Sequence, residues 1–280
     1  QKNGIACESY ELYGEKITEI LISEADKAAF DRPSGRYYMI DSADVPYADG
    51  QIKALCTVLR KLLPEGKCLV AGLGNPSVAS DSLGWKTAGK VLATSQFVEN
   101  MHSPDGIGNV AVIRTDVGAN SGIDSVYHTV FCAEKINADY IIAIDSLICG
   151  DPDRLCRTIQ ITDTGITPGS GIGNHRNALN KESLGIPVIS LGVPTVVNAA
   201  TIVADAMNDL IEAEASSNAD LKKLDEHERQ ELARELLSPQ LNGLFVTPKN
   251  IDDSIKSLSY LISEGLNIAL LGNKDENALI

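Results

Sequence analysis

No apolar run in the 280 residues is long enough to cross a bilayer, and the N-terminus carries no secretory-signal pattern. Positive charge is scarce: 24 Lys and Arg stand against 38 Asp and Glu, a formal net charge of −14 with a pI near 4.7. A surface of that sign repels phosphate backbones, which argues against a primary nucleic-acid binder; solubility is the simplest reading of the acidity. No GxxxxGK[ST] occurs, so phosphoryl transfer on a P-loop is excluded. No GxSxG occurs, so a Ser–His–Asp site has no nucleophile elbow. HExxH is absent, and the four histidines, His102, His128, His175 and His227, are scattered as surface residues would be. The six cysteines, Cys7, Cys56, Cys68, Cys132, Cys149 and Cys156, contain no CxxC and no zinc spacing. Several lie within apolar runs, where a reduced thiol behaves as a small hydrophobe, and a reducing cytoplasm fits them better than secretion.

What is there is enough apolar material for a core, 44% of the chain, in a length suited to one large or two small domains. The first 48 residues read as irregular, with turns at "RPSG" and "DVPYADG" and room for a hairpin. Ile52, Leu55, Cys56, Leu59, Leu62 and Leu63 recur at helical spacing until Pro64 and Gly66. "CLVAGLG" (68–74) then reads as a buried strand, "LGWKTAGKVLATSQF" (83–97) as a helix and "GNVAVIR" (108–114) as a strand. Residues 123–137 read as a helix and "ADYIIAID" (138–145) as a buried strand ending on an acid. "RTIQITD" (157–163) and "IPVISLGVP" (186–194) are further strands, and 195–211 is an apolar-rich helix. The stretch 212–234 turns acidic with an amphipathic pattern, and a last helix carries Ile251, Ile255, Leu258 and Ile262 up to Gly265. Strands alternating with helices predict an α/β sandwich around a mostly parallel sheet, covered on both faces. The expectation is a single domain over 1–280, less regular over 1–50 and helical over 212–280.

In open α/β sheets, ligands meet the carboxyl ends of the strands. Asp81 follows the strand at 68–74, and Asp145 closes "YIIAID". Asp163 ends "RTIQITD" and leads into the glycine-rich "TGITPGSGIGN" (164–174), whose backbone N–H groups a ligand can approach closely. Two carboxylates held near each other cannot both ionise cheaply, so one keeps a proton. The charged one can then activate water while the protonated one polarises a carbonyl, which is acid–base peptide cleavage. Each acid also has a structural reading: Asp81 as an N-cap, Asp145 as a turn cap, Asp163 as an Asx-turn brace. "GLGN" lacks the third glycine of the dinucleotide fingerprint. "GLGNP" is similar to peptidyl-tRNA hydrolases, but no histidine follows between Cys68 and Met101, and the acidic surface suits tRNA badly.

Taken together and in order, "GLGNPSVASDSLG", "DYIIAIDSL", "TIQITDTGITPGSGIGNHR" and "LGIPVISLGVPTVV" resemble the germination proteases of spore-forming bacteria. "LFVTPKNID" and "GLNIALL" resemble that family's tail, and the first 65 residues resemble it more weakly. The resemblance implies a three-layer α/β/α sandwich of the phosphorylase/hydrolase-like kind, as in hydrogenase-maturation proteases. It implies an aspartic-type endopeptidase without cofactor or metal that degrades small acid-soluble spore proteins during germination. It implies synthesis as a self-clipping zymogen, a homo-tetrameric active form, a place in the forespore or spore core, and neither direct nucleic-acid nor membrane binding. The family's catalytic aspartates fall on Asp81 and Asp145. Gly72, Gly74 and Asn75 would shape the wall beside Asp81; Asp163, Gly169, Ser170 and Gly171 would line or support the cleft. Two alternatives accompany this expectation: a metal-dependent maturation-type protease on the same fold, or an inactive relative that binds spore proteins. The chain departs from the family's habit at Ser80 and Trp85, where proline is common, and in the bulkier "SLICGD" after Asp145. It opens on Gln1 without the zymogen's leading segment, so a mature or trimmed form is expected.

Overall fold

A computed structural model describes residues 6–30, 32–42, 49–100, 107–170, 177–213 and 243–271. The strands are β1 (Ala6–Leu12), β2 (Glu15–Ile22), β3 (Gly35–Asp41), β4 (Cys68–Gly72), β5 (Val110–Arg114), β6 (Tyr140–Cys149), β7 (Thr158–Thr162), β8 (Val188–Asn198) and β9 (Phe245–Val246). The helices are α1 (Lys27–Phe30), α2 (Asp49–Leu62), α3 (Leu83–Ala88), α4 (Ser95–Asn100), α5 (Gly118–Ser121), α6 (Ser125–Ile136), α7 (Lys181–Leu184), α8 (Ala199–Ala213) and α9 (Ile251–Leu271).

The strands form one mixed sheet in the order β1-β2-β3-β7-β8-β6-β4-β5, with β9 beside β8. One half of it, β5-β4-β6-β8, is parallel. Every residue of β4 is buried, as a strand covered on both faces requires. Period-two alternation splits β6 between two cores. Tyr140, Ile142 and Ile144 face α2, α3 and α9 with Val70, Leu55, Leu59, Ile255 and Ile262. Ile141 and Ala143 face α6 with Leu69, Ala71, Val126 and Ala133. The result is helices on both sides of a central sheet, the α/β/α layering expected from alternating strands and helices.

The other half is antiparallel, and here the sequence reading needs correction. Within Ala6–Asp41 the chain is more regular than expected: β1 and β2 form the hairpin for which the sequence left room, and β3 carries it onto β7. The turn is Tyr13–Gly14, both at positive φ (53° and 85°), the two-residue geometry that matches strand twist. Residues 83–97 are not one helix. They give α3, a non-helical stretch and α4, since Gly89 closes the first helix and Thr94 begins a new one by accepting from Phe97 N and Val98 N. The last helix does not stop at Gly265 but runs to Leu271; the missing side chain there admits Leu55 of α2, whose Cδ2 would lie 2.6 Å from an added Cβ. α6 is as expected, capped by Asp124, which accepts from Val126 N, and ended by Asn137 in the left-handed region. The acidic stretch 214–234 lies outside the described residues.

Candidate active site

The chain leaves β4, visits β5 on one side, then crosses to β6 on the other side of β4. The crevice outside the carboxyl ends of β4 and β6 is therefore a topological switch point, where open α/β sheets hold their ligands. A cleft of about 530 Å³ opens there, and both Asp81 and Asp145 line it.

Two features bring them together. Leu73 N donates to Ile144 O at 2.8 Å, tying the loop after β4 to the residue just before Asp145. Gly84, in the first turn of α3, lies so close that an added Cβ would sit 2.1 Å from Ile144 O. The segment carrying Asp81 is thus laid directly on the strand carrying Asp145. The register pairs Gly72 with Ile144, so Asp145 is the first residue of β6 beyond the end of β4. The sequence reading placed the strand's end at Asp145; β6 in fact continues to Cys149 alongside β8. Asp145 is an in-strand residue, 7% exposed, and its Oδ1 accepts from Ser146 N at 2.9 Å.

Asp81 closes a 3-10 turn, Ala79–Asp81, and is half-buried. The helix cap of α3 is Ser82, not Asp81. The Asp81 carboxylate turns instead to the β4 loop, where Oδ2 accepts from Asn75 N at 3.0 Å. A backbone donor of this kind stabilises the ionised form of a carboxylate. Gly74 makes the turn possible at φ +106°, with its α-carbon facing Asp81 O so closely that a Cβ would lie 2.1 Å away.

Of the expected supporting residues, Gly74, Gly169 and Ser170 line the cleft. Gly72 does not; it is buried under α3, where a Cβ would meet Gly84 O at 2.2 Å. Asn75 supports Asp81 through its N–H rather than by lining the cavity. Asp163 is exposed and outside the cleft lining; its Oδ1 accepts from Arg36 N at 2.8 Å and so braces β3 against β7. Gly171, like Asn174 and His175, lies outside the described residues. His128 is exposed on α6, and His102 and His227 also fall outside the described residues.

Among the cleft residues that escaped the sequence reading are Thr195 and Arg32. Thr195, on β8, donates through Oγ1 to Ser80 O at 2.6 Å and ties the Asp81 turn to a third strand. Arg32 brings the one cation among the described lining residues, in a cleft that two acids also line. "RPSG" signalled only a turn, and a 115-residue separation hid the Thr195 contact.

A profile of the germination protease family matches residues 1–220 and 215–279. The germination protease of Clostridium perfringens (strain SM101) is 41% identical over 277 residues, covering 92% of this chain and 85% of that protein. That of Clostridium tetani is 36% identical, covering 95% of this chain and 88% of that protein. That of Bacillus cereus (strain G9842) is 32% identical, covering 98% and 89%. Among solved structures, a [NiFe] hydrogenase maturation protease, HycI from Thermococcus kodakarensis, aligns with 75% of this chain and 98% of that one at 16% identity and a TM-score of 0.36. With the family profile spanning nearly the whole sequence and relatives this similar over most of their length, the chain belongs to the germination protease family, and it is a protease.

Proposed function

We propose that this germination protease cuts small acid-soluble spore proteins by the joint action of Asp81 and Asp145. The observation that carries the reading is that Asp81 and Asp145 both line one cleft at the switch point of the sheet. In such a pair one carboxyl stays protonated and the other charged. The charged carboxylate removes a proton from a water molecule, and the resulting hydroxide attacks the scissile carbonyl carbon. The protonated carboxyl donates a hydrogen bond to the carbonyl oxygen as it becomes negative. The tetrahedral intermediate then collapses: the amide nitrogen accepts a proton from the acid partner, the C–N bond breaks, and the pair returns with one proton shared. Asn75 N–H holds Asp81 in place for this step, and Thr195 holds the backbone just before it.

Asp81→Asn and Asp145→Asn test the reading. Each removes an acid–base group while keeping size and shape. Each is expected to lower kcat on a purified small acid-soluble spore protein by about 100- to 10,000-fold, the usual worth of acid–base catalysis. Circular dichroism and the thermal midpoint are expected to stay near wild type. Full cleavage by either folded variant, followed by mass spectrometry of the products, would remove the pair from the mechanism.

A further inference from the structure

The loop that presents Asp81 is tied to the segment after the neighbouring strand β5 by a chain of polar side chains. Asn120, on the short α5 after β5, donates from Nδ2 to Asn75 Oδ1 at 3.2 Å. The same Nδ2 group reaches Asp116 Oδ1 at 3.0 Å, and that oxygen also accepts from Val117 N at 2.7 Å. Asn75 Oδ1 in turn accepts from Ser77 N at 2.9 Å, which folds residues 75–77 into an Asx turn. Asn75 N then donates to Asp81 Oδ2. Val117, at the root of α5, lines the cleft itself. The order is continuous: Asp116 fixes the amide of Asn120, Asn120 fixes the side chain of Asn75, and the backbone of Asn75 fixes the carboxylate.

We infer that Asn120 is a positioning residue for Asp81, acting through Asn75. The inference rests on the reading of Asp81 as a catalytic group. Asn120 itself is exposed, so it has little to contribute to the stability of the core. Its amide is placed to hold the Asn75 turn in the one orientation that aims N–H at Oδ2. Without it, the Ser77 contact still shapes the turn locally, but nothing among the described contacts of the Asn75 side chain ties that turn to the β5 side of the cleft. The carboxylate then samples positions away from the substrate carbonyl, and small displacements of an acid–base group are costly in rate. Neither Asn75 nor Asn120 lines the cleft, so substrate binding is expected to be little changed.

The experiment is steady-state cleavage of a small acid-soluble spore protein by Asn120→Ala, Asn75→Ala and the double variant, beside Asp81→Asn. Asn120→Ala is expected to lower kcat by about 3- to 10-fold, the worth of one hydrogen bond, with KM and the thermal midpoint close to wild type. A residue that merely stabilised the fold would lower the midpoint and leave kcat per folded molecule alone. Asn120→Ala added to Asn75→Ala is expected to lower kcat no further, because both act on one route. An unchanged kcat in Asn120→Ala, with Asp81→Asn inactive, overturns the inference and leaves the role of Asp81 standing. So does a full additional loss in the double variant. Full activity of Asp81→Asn overturns both.

Discussion

Gly74 holds its backbone at φ +106°, in a region that L side chains rarely enter, and it does so one residue from the donor that holds Asp81. The space is closed as well, since an added Cβ would meet Asp81 O at 2.1 Å and Asp81 Oδ1 at 3.2 Å. Gly74→Ala therefore has to bend the loop, move Asp81, or do both. Strain of this kind costs about 1–3 kcal/mol, which urea unfolding will read directly. Activity is expected to fall further than stability, because the displaced atom belongs to the turn that presents Asp81, the carboxylate proposed to act in cleavage. A Gly74→Ala protein with wild-type unfolding free energy and wild-type kcat would show that the loop relaxes freely. That Asp81 and Asp145 meet at one cleft could be read from the sequence, because each is the acid that follows an apolar run. Asn120 could not: its partner lies 45 residues away, and a lone Asn in "GANSG" looks like any turn residue. Arg32 was hidden for the same reason, since only the tertiary fold brings it to the cleft.

At the scale of elements, the site depends on how closely α3 packs on β6. Gly84 is buried, and a Cβ there would stand 2.1 Å from Ile144 O and 2.5 Å from Leu73 O. Both contacts are with backbone, which cannot rotate out of the way as a side-chain tip can. In an isolated helix Gly→Ala gains about 1 kcal/mol. Here overpacking wins, at a cost of about 1–3 kcal/mol or more, because α3 must lift from the strand. Gly84→Ala is therefore expected to destabilise the protein in urea and to separate the Asp81 turn from Asp145, cutting kcat in the fraction that remains folded. A stabilised Gly84→Ala variant would contradict the packing argument. Which elements exist was largely legible, since burial on both faces gives β4 and the first half of β6 continuous apolar runs. Their limits were less so. β6 and β8 run on past the apolar run because each pairs with the other, as in Ile148↔Val196 and Cys149↔Val197. That support is tertiary, and no local propensity announces it. The hairpin of β1 and β2 was expected only as a possibility without bounds, because its outer strand is largely exposed and lacks a buried face to set a clear alternation.

For the whole molecule, burial of thiols sets how stability responds to alkali. Cys56, Cys68, Cys149 and Cys156 are buried, Cys132 is half-buried and Cys7 is exposed, all of them free. Burial disfavours the thiolate, and it pushes Cys68 from the ordinary 9.0 up to about 12, against smaller opposing hydrogen bonds from Tyr140 and the Ile142 backbone. Burial likewise pushes Cys156 from 9.0 up to about 11, with Cys149 nearby adding to the effect. Cys56 and Cys149 move in the same direction, again chiefly through burial. The sign follows from proton counting. Above pH 9 the unfolded chain has released these protons while the folded protein keeps them, so the unfolded state binds fewer and stability falls as pH rises. The contribution is whole below pH 9 and is lost by about pH 11 for Cys156 and about pH 12 for Cys68. Within its window each thiol removes about 1.4 kcal/mol per pH unit. Urea unfolding between pH 7 and 10.5 is expected to show a flat region followed by a decline beginning near pH 9. The decline should be shallower in a Cys68→Ala, Cys156→Ala double variant, whose lower starting stability reflects the lost packing. In the native protein at pH 8, a thiol reagent should modify Cys7 rapidly, Cys132 slowly and the four buried thiols only on unfolding. Stability that holds level to pH 10.5, or six thiols reacting together in the native state, would mean that these cysteines are not sealed in the core.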